Sequence, residues 1–140
     1  MSQVIVYTDP TAGVAVCIPT GEIPIEQVLT KDVPAGLDPE IVDSSSLPSD
    51  NVFRSAWVKS GAVVTEDLAK SKVIAHEIRR EKRTVEFTPY DQIIASRIPG
   101  VSEENAEAAR AEIRSRYASI QNDIDASTNT ASLKAKVLSI

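Results

Sequence analysis

The chain is poor in the residues that most often carry chemistry. A single cysteine, Cys17, excludes an intrachain disulfide and any cysteine-based metal cluster. It lies in the apolar run Val14-Ala15-Val16-Cys17-Ile18 and reads as a small buried hydrophobe rather than a reactive thiol. One histidine, His76, has no second histidine and no serine or cysteine at a convincing spacing, which fits a helix-face residue better than a ligand or base. The five glycines are isolated, so there is no glycine-rich phosphate loop. Aromatics are only 4%, so any core must be built from Val, Ile, Ala and Leu. No apolar stretch approaches the roughly 20 residues of a membrane-spanning helix. The start lacks both the basic and the long apolar segment of a secretory signal, the expectation for a soluble protein made in a cytoplasm. A formal charge of −5 argues against a nucleic-acid groove, which needs clustered Lys and Arg.

What is present is unevenly distributed. Residues 1–64 hold six of the eight prolines, four of the five glycines, and eight acids against three bases. Residues 65–140 balance twelve acids with twelve bases and read as helical. At the seam lies Phe53-Arg54-Ser55-Ala56-Trp57, whose aromatic pair at i, i+4 is expected to be what the two halves close around. Phe53 and Trp57 are therefore candidate core or interface residues.

In chain order, 3–7 and 14–18 are β-branched runs joined by Thr8-Asp9-Pro10-Thr11-Ala12-Gly13, an antiparallel hairpin. Residues 24–31 carry Ile25, Val28 and Leu29 at helical spacing behind Pro24, which suits a first helical position. Glu40 to Asp43 fits a third strand. Residues 52–57 fit a strand or one tight turn, and Lys59-Ser60-Gly61 a break before the helices. Thr65 is the expected N-cap of a helix reaching about Phe87, with a seam of Leu68, Ser71, Ala75, Ile78 and Lys82. The run Arg79 to Arg83 then falls at its C-terminal end, on a solvated face with Glu77 and Glu81 in support. Thr88-Pro89 suggests a kink or restart, and Pro99-Gly100 a turn. Ser102 should cap the last long helix, in which Ala106, Ala109, Ile113, Tyr117, Ile120 and Ile124 form one continuous stripe. Ile113, Tyr117, Ile120 and Ile124 are candidate core or interface residues. The pattern leaves open whether the stripe packs within the chain or on another subunit. Ala131 to Leu138 fits two further turns.

These elements predict an α+β fold: an N-terminal antiparallel β-hairpin unit over 1–64, then an α-helical hairpin over 65–140. Paired acids at Glu103-Glu104 and at Asp123 and Asp125 sit on solvated faces or at a helix start, poor places for general acid work. No catalytic, cofactor-binding or metal residue is expected, and no enzymatic activity.

One stretch also resembles a known group. The succession Val4-Ile5-Val6-Tyr7-Thr8, Lys31-Asp32-Val33-Pro34-Ala35-Gly36, Leu47-Pro48-Ser49-Asp50 and Phe53-Arg54-Ser55-Ala56-Trp57 is similar to small proteins encoded among the virion genes of tailed bacteriophages. Asn51-Val52 stands where that group usually has Arg-Thr. A looser similarity continues through Leu68 to Glu77. The resemblance implies a non-enzymatic structural component of the particle, associated with the tail or tail fibre. It would act through contacts with other phage structural proteins or with copies of itself. A capsid decoration protein, or a tail-fibre assembly chaperone absent from the mature particle, is the alternative. The implied location is the virion, after synthesis in the bacterial host cytoplasm. No catalytic residues carry over.

Overall fold

A computed structural model describes residues 2–97 and 103–140. The fold is α+β, with an N-terminal antiparallel β unit followed by helices. The chain divides into two compact units, Met1–Ser71 and Lys72–Ile140.

In the first unit, β1 (Gln3–Asp9) pairs with β2 (Gly13–Cys17) as the expected hairpin. The Asp9 carboxylate builds the turn, accepting from Thr11 N at 2.9 Å and Ala12 N at 3.0 Å, and Gly13 supplies the positive φ of 82° that closes it. These bonds hold the Asp9 carboxyl below its ordinary pKa. The helix α1 (Ile25–Asp32) follows, with Pro24 just ahead of its first residue. Then β3 (Glu40–Asp43) joins the other side of β1, giving the order β2-β1-β3.

Three consecutive residues of β1, Val4, Ile5 and Val6, are all buried, because both faces of this sheet are covered. Alternate side chains leave β1 on opposite sides. Ile5, with Cys17 and Ile41 across from it, packs on Ile25, Val28, Leu29 and Val33 of α1 and its exit. Val4, Val6, Val14 and Val42 pack on Trp57 and Val64.

The last two residues belong to a second sheet that the sequence reading did not include. Strands β4 (Trp57–Ser60) and β5 (Val63–Glu66) form a tight hairpin. Lys59-Ser60-Gly61 is therefore a strand end and turn, not a break. Gly61 has φ of +59° and Ala62 does not share the positive sign, the type II′ pattern that suits a two-residue connection. Thr65 accordingly lies in a strand. The helix cap is Asp67, whose carboxylate accepts from Lys70 N at 2.9 Å and whose carbonyl accepts from Ser71 N.

The helix α2 (Leu68–Ser96) is continuous through Pro89. Proline cannot donate to the Val85 carbonyl, which costs a bond but does not end the helix. The threonines before it bond back along the helix, Thr84 to the Arg80 carbonyl and Thr88 to the Thr84 carbonyl, each at 2.9 Å. Because α2 runs on to Ser96, the cations from Arg79 to Arg83 stand in mid-helix, away from the dipole end expected of them.

In the second unit, α3 (Glu103–Ala126) buries Ala106, Ile113, Tyr117 and Ile124. It runs antiparallel to α2, as ion pairs at two levels require: Arg116 with Glu86, and Arg110 with Asp91. The short α4 (Thr130–Leu138) is capped by the Asn129 side chain, which accepts from Ser132 N at 2.8 Å, and it buries Leu133 and Val137. The expected Pro99-Gly100 turn and Ser102 cap lie outside the described residues.

Candidate functional site

Six residues stand out from the sequence, and the structure distributes them over both units. Phe53 is fully buried in the first unit, beside a short 3₁₀ turn (Arg54–Ala56) that delivers the chain into β4. That turn settles the reading of 52–57: a tight turn whose last residue starts a strand. Trp57 is 7% exposed and packs with Val4, Val6, Val14, Val42 and Val64. Every one of these partners belongs to the β unit, so Trp57 is a core residue of that unit. In the second unit Ile113, Tyr117 and Ile124 are buried, and Ile120 is half-buried.

Arg54 is a residue whose role sequence reasoning missed. Its guanidinium lies 4.2 Å from the centre of the Trp57 ring, a cation–π stack, and its Nη2 donates to the Val14 carbonyl at 2.7 Å. One side chain thus joins the turn before β4 to the outer edge of β2.

Two polar clusters in the second unit were not legible either. The first surrounds His76. Its Nε2 lies 2.8 Å from Asp125 Oδ1, while its Nδ1 accepts from Arg79 Nε at 3.3 Å. Lys72 Nζ donates to the Asp125 carbonyl at 2.9 Å. Arg79 is only 6% exposed, which corrects the expectation that the whole run 79–83 is solvated. Burial pushes the Arg79 guanidinium's pKa down, with help from neighbouring Arg80 and Arg83, while Asp125 opposes them. Because Arg79 has only donors, Nδ1 must be the accepting nitrogen, so the proton of a neutral ring sits on Nε2 and points at Asp125.

The second cluster joins Glu86, Arg116 and Tyr117. Arg116 donates twice to the Glu86 carboxylate, at 2.8 and 3.1 Å. The Tyr117 phenol feels the charge of the same carboxylate. The Glu86 carboxyl is held below its usual range, first by Arg116 and then by Tyr117. The Tyr117 phenol is pushed up to about 12, mainly by burial and then by the influence of the Glu86 carboxylate. Beside this cluster runs an open groove of about 430 Å³ lined by Glu81, Lys82, Val85, Tyr117 and Ile140, among others.

Chemically, both clusters tie α2 to α3 through polar contacts. A base needs a free lone pair, and the one on His76 already accepts from Arg79. The Tyr117 phenol is pushed away from the neutral range. Among the described residues no three His, Cys, Asp or Glu side chains converge as a metal site, and no helix is long and apolar enough to cross a membrane. No family model matches the chain, and comparisons with curated proteins and with solved structures find no match.

Proposed function

We propose that the protein is a non-enzymatic structural component of a tailed bacteriophage particle, associated with the tail or tail fibre, which works through protein–protein contacts. The observation that carries the non-enzymatic part is the engagement of His76 on both ring nitrogens, one by Asp125 and one by a buried arginine. Ion pairs occupy other charged side chains: Arg110 with Asp91 and Glu107, and Lys136 with Asp123. The phage part rests on the resemblance of residues 3–57. In that stretch the shared residues Val33, Phe53, Ala56 and Trp57 are all buried, and Arg54 is tied to the Val14 carbonyl. A motif made of core residues specifies a fold, which is what a structural protein has to keep. Apolar side chains left outside, Ile18 and Val63 on the first unit and Val73, Val85 and Leu138 on the second, offer contact surface to a partner.

Mass spectrometry of purified phage particles tests this reading. The expected result is the chain at stoichiometric copy number, followed by density for it at the tail. Its absence from intact particles would favour the assembly chaperone that leaves, and density on the capsid would favour the decoration protein.

A further inference from the structure

The only histidine in the chain sits between a carboxylate on one helix and a buried cation on its own helix. A neutral imidazole satisfies both neighbours, donating through Nε2 to Asp125 of α3 and accepting through Nδ1 from Arg79 of α2. Protonation changes only one of the two. The bond to Asp125 persists and becomes an ion pair, but Nδ1 then carries a hydrogen that faces the Arg79 Nε–H across 3.3 Å. Two donors and two positive charges cannot share that gap. We propose that His76 is a protonation-sensitive latch that holds the Arg79 side chain inside the helical unit while the ring is neutral and releases it when the ring takes up its second proton.

The surroundings favour release of Arg79 over displacement of His76. Asp125 is the anion facing the ring, and it gains by pairing with an imidazolium, so the ring is held in place. Apart from Asp125, the charges that bear most on Arg79 are cations. Arg80 and Arg83 bear on Arg79 from its own helix, and Lys72 is committed to the Asp125 carbonyl. On α4, Lys136 is drawn to Asp123. None of these stabilises a second cation beside Arg79. Once outside, Arg79 would stand with Arg80, Lys82 and Arg83, so acidification would enlarge a basic surface in the middle of α2.

Nuclear magnetic resonance on the full chain tests the latch, and the single histidine makes the titration unambiguous. At alkaline pH the ring nitrogens should report the Nε2-protonated tautomer. On acidification the Arg79 Nε–Hε resonance should move with the same midpoint as the imidazole, toward the position of a solvated arginine. His76→Gln should flatten that response. A ring protonated on Nδ1 at alkaline pH would overturn the proposal, and so would an Arg79 resonance that ignores the imidazole titration or that shifts with the same midpoint in His76→Gln. If the variant does not fold, the tautomer and the shared midpoint in the wild-type chain decide the matter.

Discussion

Arg116 and Glu86 meet across the two long helices through two parallel N–H···O bonds of 3.1 and 2.8 Å. The paired geometry matters more than the charge. Both side chains are well exposed, Glu86 at 36% and Arg116 at 48%, so solvent screens the attraction. Glu86→Gln should therefore cost less than about 1 kcal/mol at moderate salt. The carboxyl's lowered pKa sets the direction with pH. Its contribution is present above the ordinary carboxylate range and is lost as pH falls through the folded value. Acid unfolding of Glu86→Gln should be shallower than that of the wild type, measured by circular dichroism.

Tyr117 behaves in the opposite sense. Its phenol titrates near 12 in the folded chain against an ordinary 10.0, so the folded state holds this proton more tightly. That stabilisation is complete below the ordinary phenol value and disappears as pH rises through the folded one. The helical unit should lose stability in strong alkali, and Tyr117→Phe should abolish much of that dependence. At neutral pH the same variant should change stability little, because the ring and its packing are kept. Thermal melts across the alkaline range check both.

Trp57→Ala should destabilise the β unit by roughly 3–5 kcal/mol, because a buried aromatic leaves a cavity that the valines around it cannot fill. Trp57→Phe should cost much less. The indole Nε1 is buried without a hydrogen-bond partner among the described residues, so the smaller ring removes an unsatisfied donor along with some volume. Chemical denaturation of the two variants separates these outcomes.

Ser71 is fully buried and its hydroxyl has no partner among the described residues. Alanine fits the same space, has the higher helix propensity and carries no polar atom to desolvate. Ser71→Ala should stabilise the protein by about 1 kcal/mol, read as a rise in melting temperature. A drop would reveal a partner for the hydroxyl.

Pro89→Ala should also stabilise. It restores a donor for the Val85 carbonyl and removes a ring that crowds the preceding turn. Against this stands the freer unfolded chain that alanine allows. The net expectation is a gain of about 1–2 kcal/mol, measured by denaturant unfolding.

Much of the fold was readable because periodicity survives in the sequence. The hairpin of β1 and β2 and the stripe on α3 are local patterns, and each side chain in them has one direction to face. The hairpin of β4 and β5 was missed although its signal was there: Trp57-Val58 and Val63-Val64 flank a two-residue connection starting with Gly61. Its strands are short, and the acids Glu66 and Asp67 after them look like the first turn of a helix. The burial of Arg79 had no local sign, since an arginine in a run of charges reads as solvated until the fold brings Asp125 of α3 against His76, one turn before it on α2. The two-sided covering of β1 was likewise hidden: Val4-Ile5-Val6 fits one buried face or two, and only the return of α1 and of Trp57 decides. Of the six residues singled out, five are buried and Ile120 is half-buried.

The bond from Arg54 to the Val14 carbonyl has a further consequence. Strand β2 ends its sheet, and an unpaired strand at a sheet margin is a template on which another chain can add itself. Here one outward carbonyl of that margin is already taken, at 2.7 Å, by a guanidinium that also stacks on Trp57. An incoming strand would have to displace a charged side chain held at two points. Where many copies of this chain are crowded together, that arrangement obstructs strand addition at the β2 margin.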